Sequence, residues 1–152
     1  MSAENGTRFG ALARALQISR SVLSRHLDLL EQFGWIVRNP GHGHPLRPEY
    51  LVTQSGRPVA AWCEAAMRER ERLGLQRSDL GRWSLPILCE LHGSWRRFSE
   101  LERGLAPITP RALSLSLAQM GEVRLVCQKS KSQFLSYGLT DRGGAFASAL
   151  LS

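Results

Sequence analysis

The sequence repeats itself, and this internal repeat limits the possible fold more than any other feature. Residues 8–16 align in register with residues 97–105, and further matches follow in the same order after one extra residue in the second copy. An ordered repeat of this kind predicts two copies of one structural unit in tandem. The matched pairs are Arg8 and Arg97, Phe9 and Phe98, Leu12 and Leu101, Arg14 and Arg103, Leu16 and Leu105, Ile18 and Ile108, Ser19 and Thr109, Leu23 and Leu113, Ser24 and Ser114, Tyr50 and Tyr137, Thr53 and Thr140, and Gly56 and Gly143.

Apolar spacing in the first copy predicts two short helices joined by a turn. Phe9, Leu12 and Leu16 lie three and four residues apart, which is the stripe of a helix that packs one face. The second helix is expected to begin after Ser19 as its N-cap and to end at Gly34. Two such helices form a helix-turn-helix. The leucines of the second helix that should face inward are Leu23, Leu27 and Leu30.

The residues that follow predict a β-hairpin and a longer helix. The runs 35–38 and 49–52 are rich in residues that favour strands. The segment Asn39–Pro48 between them is rich in Pro, Gly and His, which is typical of a loop. A helix over 53–73 should then end at Gly74. A helix-turn-helix followed by such a hairpin is a winged helix, in which the hairpin is the wing.

The expected fold is therefore mainly α with small β-hairpins (α+β), in two tandem winged helix-turn-helix units. We predict a first winged helix over 1–62, a helical connector over 63–82 and a second winged helix over 83–152. The second copy has an opening helix over 83–92, whereas only seven residues precede Arg8 in the first. Either the start is truncated, or another element covers that face of the first core.

Charge indicates the class of partner. The formal net charge is +7 and the sequence pI is about 10.3. Residues 1–62 carry seven arginines against four acidic residues, and residues 83–152 carry eight basic residues against five acidic ones. Small basic domains commonly bind nucleic acid, and the positive charge is shared between the two halves. Together with the winged-helix pattern, this makes double-stranded DNA the expected partner of the chain, although whether the second copy binds it is left open.

The candidate DNA-binding residues follow from the helix that should enter the groove. Once its leucines face inward, polar and basic side chains are left on the outer face together with Asp28. Arginine can bind guanine or hold a phosphate, and serine can do either more weakly. Side chains of the wing can lie along the backbone or enter the minor groove. The candidates in the first copy are Arg20, Ser21, Ser24 and Arg25 on the helix and His42, His44 and Arg47 in the wing.

The second copy is degenerate at the matching positions. Leu115 stands where the first copy has Arg25, and residues 120–124 replace the expected helix end. We therefore expect the first copy to be the stronger reader of DNA. The candidates that the second copy retains are Arg111 and Ser114 on the helix and Lys129 and Lys131 in the wing.

An ordered set of motifs runs through both copies. The first copy carries Arg8-Phe9, Ile18-Ser19, Leu23-Ser24, Leu27, Leu30-Glu31, Gly34, the run from His44 to Tyr50, Thr53 and Gly56. The second carries the run from Trp83 to Leu88, Glu90-Leu91, Gly93, Arg97-Phe98, Glu100-Leu101, the run from Ile108 to Arg111, Leu113-Ser114, Tyr137, Leu139-Thr140 and Gly143. Each copy resembles the HxlR-type branch of the MarR-like winged-helix regulators of bacteria. The resemblance implies small dimeric repressors or activators with one recognition helix and one wing per subunit.

A tandem arrangement leaves two assemblies open. The chain can form a homodimer, or its two heads can act as an intramolecular pseudo-dimer, with the helix over 53–73 in the internal interface. Because the heads differ in sequence, a pseudo-dimer does not require a palindromic site.

Other possible sites are weaker. Cys63, Cys89 and Cys127 are too widely spaced for a zinc pattern and are expected to be small buried hydrophobes rather than oxidant sensors. The pair His42 and His44 lacks a nearby third ligand, so no metal and no cofactor are expected. Three tryptophans are expected to pack in cores or interfaces rather than to line an effector cavity. These are Trp62, Trp83 and Trp95.

The function classes narrow accordingly. The chain carries no nucleophile elbow, phosphate loop or paired carboxylates, so we do not expect an enzyme. No apolar run suits a membrane span and the start does not read as a signal peptide, so we expect a cytoplasmic protein. The alternative function is a winged-helix adaptor for protein–protein interaction, whose binding would depend less steeply on salt than DNA binding does.

Overall fold

A computed structural model describes residues 6–39, 49–131 and 133–151. It divides into two compact units, Met1–Cys63 and Glu64–Ser152. Both units are mixed α+β and each contains a three-stranded antiparallel sheet, as predicted for winged helices. The finer division into 1–62, 63–82 and 83–152 stays a prediction. Within the described ranges, no helix combines the length and apolar character that crossing a membrane requires.

The first unit has the predicted helix-turn-helix and hairpin. Its elements are β1 (Thr7–Arg8), α1 (Phe9–Leu16), α2 (Arg20–Gln32), β2 (Ile36–Asn39), β3 (Glu49–Val52) and the start of α3 (Arg57–Arg72), which continues into the second unit. The strands lie in the order β1-β3-β2. The start of α3 tolerates Pro58, because the first turn of a helix leaves its N–H groups without a helical partner.

The second unit repeats this order and precedes it with a helix. Its elements are a 3-10 turn (Arg77–Asp79), α4 (Ser84–Leu91), β4 (Arg96–Arg97), α5 (Phe98–Gly104), α6 (Pro110–Glu122), β5 (Val126–Lys131), β6 (Phe134–Leu139) and α7 (Asp141–Leu151). The strands lie in the order β4-β6-β5, which matches the first sheet.

Helices α2 and α6 begin in the same way. The hydroxyl oxygen of Ser19 accepts a hydrogen bond from the backbone N–H of Val22 at 3.3 Å. The hydroxyl oxygen of Thr109 accepts one from the N–H of Ala112 at 3.2 Å. Each bond satisfies a donor that has no partner inside the helix, which confirms the N-cap predicted at Ser19.

The two helices also end in the same way. The N–H of Trp35 donates to the carbonyl of Leu30 at 3.0 Å, and the N–H of Leu125 donates to that of Met120 at 2.9 Å. This six-to-one bond requires a left-handed residue just before the donor. Residues 120–124, which replace the expected sequence of the helix end, still close α6 in this way, because Arg124 takes up the left-handed conformation itself.

In each unit, a threonine just after the last strand forms hydrogen bonds to the end of the second helix of the helix-turn-helix and to a glycine three residues later. The hydroxyl of Thr53 donates to the carbonyl of Gly34 at 2.5 Å, and its oxygen accepts from the N–H of Gly56 at 3.1 Å. In the second unit Thr140 donates to the carbonyl of Arg124 at 2.6 Å, and its oxygen accepts from the N–H of Gly143 at 3.1 Å. The repeat in the sequence thus corresponds to a repeated junction.

The two cores differ in what covers them. In the first unit, α1 contributes buried Leu12 to the core, and α2 contributes buried Leu23 and Leu27. In the second, the matching Leu101, Leu113 and Leu117 belong to a larger cluster. That cluster also includes α4 residues, among them Ile87, Leu88 and Leu91.

The first unit retains an apolar cavity of about 460 Å³. Among the described residues, β1 alone precedes α1, so this unit shows no counterpart of α4. Leu16, Leu29 and Phe33 line the cavity and stay exposed at 38%, 43% and 63%. The sequence-based expectation that this face needs another cover therefore stays open.

Candidate nucleic-acid interface

Helix α2 presents the four predicted side chains on its solvent side. Arg20, Ser21, Ser24 and Arg25 are all exposed, whereas Leu23 and Leu27 of the same helix are buried in the core. The N-cap places Arg20 at the first position of the helix, where the unpaired N–H groups favour an anion. The structure therefore brings these residues together on one face.

Local contacts orient the first turn of α2. The Arg20 guanidinium lies 5.5 Å from the centroid of the Phe9 ring. The hydroxyl of Ser21 is 3.2 Å from that of Ser19. Phe9 belongs to α1, so this contact joins the start of α2 to α1.

Sequence reasoning missed Arg38, which joins the wing to α2. Its guanidinium lies 3.9 Å from the carboxylate of Asp28 and 3.7 Å from that of Glu31. Its backbone N–H also donates to the Glu31 carboxylate at 3.1 Å. Asp28 lies on the exposed face of α2, so Arg38 offsets a negative charge that would repel phosphate. One signal for these ion pairs was present in the sequence: Arg38 follows soon after a helix that carries two acidic residues three positions apart, Asp28 and Glu31.

In the second unit, α6 keeps part of this arrangement. Arg111 and Ser114 are exposed, as predicted. Leu115 is 62% exposed at the position that matches Arg25. An exposed leucine cannot bind a base edge by hydrogen bonds, so this face is less suited to reading sequence.

The wings are described only in part. The predicted His42, His44 and Arg47 lie outside the described residues, and so does the side chain of Lys131. Lys129 is exposed on β5, and its ammonium lies 3.7 Å from the centroid of the Trp95 ring.

Two expectations about buried residues need correction. Cys63 is exposed, because it lies on the solvent side of α3, whereas Cys89 and Cys127 are partly buried. Burial raises the pKa of the Cys89 thiol above its ordinary value. Trp62 and Trp95 do not lie in a core, since they are 37% and 42% exposed, and their packing in an interface stays a prediction. Trp83 does pack against the core of the second unit, as expected. Over residues 6–39, 49–131 and 133–151, no three or more His, Cys, Asp or Glu side chains gather as they would around a metal ion.

Comparison with known proteins agrees with the fold and the repeat. The model of the HxlR-like helix-turn-helix family matches the chain twice, over residues 2–72 and 80–152. A stretch of 54 residues is 44% identical to uncharacterized HTH-type transcriptional regulators of Mycobacterium tuberculosis and Mycobacterium bovis. It covers 36% of this chain and 34% of those proteins, so the chain spans about a third of the length of the curated relatives it matches.

Solved structures overlap the chain in part. A MarR-family transcriptional regulator from Enterococcus faecalis is 26% identical, with a TM-score of 0.45 over 65% of this chain and 81% of its own. Reduced HlyU from Vibrio cholerae is 22% identical, with a TM-score of 0.43 over 64% of this chain and 94% of its own. The assignment depends on the family model, whose two matches fall on the two copies of the repeat: the chain belongs to the HxlR-like helix-turn-helix family.

Proposed function

We propose that this protein regulates transcription by binding double-stranded DNA through helix α2 of the first unit. The observation that carries the proposal is the exposed face formed by Arg20, Ser21, Ser24 and Arg25 at the start of that helix. The family membership, the net charge of +7 and the names of the matched relatives point the same way.

The chemistry of the face suits a major groove. A guanidinium can donate two parallel hydrogen bonds to the O6 and N7 atoms of guanine, and a hydroxyl can bind a base edge or a phosphate. The N-terminus of α2 adds unpaired N–H groups and a favourable dipole for one phosphate. Because Arg38 offsets Asp28, little negative charge opposes DNA on this side of α2.

The two heads are proposed to contribute unequally. The second unit keeps Arg111 and Ser114 but has Leu115 in place of a guanidinium. We propose that the second unit contacts the phosphates of the DNA backbone, while the first unit contacts the base edges. Such a pair, whether within one chain or across a homodimer, raises the effective concentration of the second head once the first is bound.

The test is binding of the intact chain to random duplex DNA over a series of salt concentrations. Arg20→Ala/Arg25→Ala is compared with Arg14→Ala/Arg57→Ala, which removes the same charge from exposed positions outside α2. The α2 variant should lose about ten-fold or more in affinity, and its salt slope should become shallower by about two. The control should lose much less.

Two results would overturn the proposal. Absence of duplex binding by the unaltered chain at low salt would point to a protein partner instead. Equal losses in the α2 variant and its control would show that total charge, rather than α2, holds the DNA.

A further inference from the structure

The outer face of the second sheet carries two aromatic rings and two cations in one patch. Arg97 on β4 and Lys129 on β5 both pair with Ser136 of the central strand β6, so they flank it on the same side. Trp95, the residue before β4, is two positions from Arg97. Phe134, the first residue of β6, is two positions from Ser136. Alternation along a strand places residues two apart on the same face, opposite the face of buried Tyr137. We call Trp95, Arg97, Lys129 and Phe134 the aromatic platform.

Each cation of the aromatic platform lies over a ring. The Arg97 guanidinium is 3.9 Å from the centroid of Phe134, and the Lys129 ammonium is 3.7 Å from that of Trp95. Both rings remain open to solvent, at 51% for Phe134 and 42% for Trp95.

Gly138 lets the indole of Trp95 lie flat on the sheet. A Cβ at this glycine would lie 2.7–2.8 Å from three indole ring atoms, closer than real Cβ contacts. Any side chain at this position would therefore lift Trp95 away from the strand. The backbone of β6 thus supports the ring, while Trp95 stays 42% exposed.

The charge of the aromatic platform is positive. Among the described strand residues on this face, none is acidic; the carboxylate of Glu100 binds the backbone N–H of Arg97 at 2.7 Å from the start of α5. The first sheet is different, because Arg8 pairs there with Glu49, whose carboxylate lies 3.4 Å away. Glu49 takes the place that Ser136 has opposite Arg97.

We propose that the aromatic platform binds single-stranded nucleic acid, at a site separate from the duplex site on α2. Exposed rings with neighbouring cations suit unpaired bases, which stack on aromatic side chains or on a guanidinium plane. Lys129 and Arg97 are close enough to the rings to neutralise the phosphates of the stacked nucleotides. A duplex hides the faces of its bases inside its own stack, so two flat rings on a sheet match it poorly. Within the described residues of the first sheet, Gly6 stands where the second unit has Trp95, and Glu49 stands where it has Ser136, so we assign the site to the second unit.

The experiment measures binding of the full chain to fluorescein-labelled oligo-dU and oligo-U of about 12 nucleotides at low salt, by anisotropy. Trp95→Leu/Phe134→Ala removes both rings. Phe33→Ala/Trp62→Leu is the matched control, because these two aromatic side chains are exposed to a similar degree in the first unit and α3. The platform variant should lose about ten-fold or more in affinity, while the control changes less than about two-fold. The two oligonucleotides distinguish DNA from RNA as the preferred strand.

Binding of duplex and of single strands is measured for both the α2 variant and the platform variant, so that failure of one proposal can be distinguished from failure of the other. Arg20→Ala/Arg25→Ala should retain single-strand affinity, and Trp95→Leu/Phe134→Ala should retain duplex affinity. Phe134→Ser alone, at a half-exposed position, guards against misfolding and should weaken single-strand binding too. The proposal is overturned if the unaltered chain binds neither oligonucleotide, or if the platform and control variants weaken binding equally. Unchanged single-strand binding by folded Phe134→Ser and the double variant would also overturn it.

Discussion

Gly34 and Arg124 close equivalent helices in the same left-handed conformation, with φ of +70° and +56°. Both are followed by a residue whose N–H donates to the carbonyl five residues earlier in the helix, and the carbonyls of Gly34 and Arg124 both accept a threonine hydroxyl. The glycine adopts this conformation without steric cost, whereas an L side chain pays about 1–2 kcal/mol. The second unit therefore keeps the same helix end, although it has Arg124 instead of the glycine that favours a positive φ.

We expect Gly34→Ala to destabilise the first unit by about 1 kcal/mol, because alanine is strained at positive φ. Gly10→Ala, in exposed helix α1 with nothing within 4 Å of a new Cβ, should instead stabilise it by about 0.5 kcal/mol. Denaturant unfolding measures both. Equal shifts of the same sign would show that the helix end does not depend on this glycine.

Neighbouring glycines of α7 should respond in opposite ways to alanine. A Cβ on Gly143 would lie 2.0 Å from the carbonyl oxygen of Leu125, whereas one on Gly144 would meet nothing within 4 Å. Gly143→Ala should cost about 2–4 kcal/mol, because α7 must move away from the strand, and Gly144→Ala should be neutral or slightly stabilising. Thermal unfolding checks the pair. A Gly143→Ala protein as stable as the unaltered chain would contradict the close approach.

Gly56→Ala should weaken the first unit as Gly143→Ala weakens the second. A Cβ on Gly56 would lie 2.0 Å from the carbonyl oxygen of Trp35, which is the same contact in the other copy. We expect a loss of about 2–4 kcal/mol, measured by hydrogen exchange of the β2 amides. Unchanged protection in β2 would show that the two junctions are not equivalent in energy.

Arg38→Gln should weaken duplex binding by about three- to ten-fold, because Asp28 then keeps its full charge toward the phosphates. Stability should fall by less than about 1 kcal/mol, since these ion pairs are exposed. Arg38→Gln/Asp28→Asn removes both charges and should recover most of the affinity. If the double variant binds as weakly as the single one, Arg38 acts by contacting DNA itself.

The cysteines should differ in reactivity toward iodoacetamide near pH 8. Cys63 is exposed, whereas burial raises the pKa of Cys89 and keeps that thiol protonated. Because the thiolate is the nucleophile, we expect Cys63 to be alkylated about ten-fold faster or more. Mass spectrometry of peptides at successive times gives the order. Modification of Cys89 at the rate of Cys63 would contradict its burial.

Local spacing in the sequence was enough to predict the helices and the strands that define the winged helix. Ser19 caps α2, Leu23 and Leu27 face the core, and the helix ends before Gly34, as predicted. These features depend on neighbours within one or two turns. The family resemblance was likewise predictable, because its motifs recur in order in both copies, and the family model confirms it.

Tertiary structure decided the features that depend on distant residues. Arg38 meets Asp28 only when the hairpin folds back on α2, and Trp95 rests on Gly138 only when β4 pairs with β6. Helical periodicity alone did not identify the solvent side of α3 at Cys63. By itself, the sequence determined two winged helix-turn-helix copies, because caps and apolar spacing act locally. Which side chains meet on each surface was decided by the fold, because strand pairing and helix packing join residues far apart in the chain.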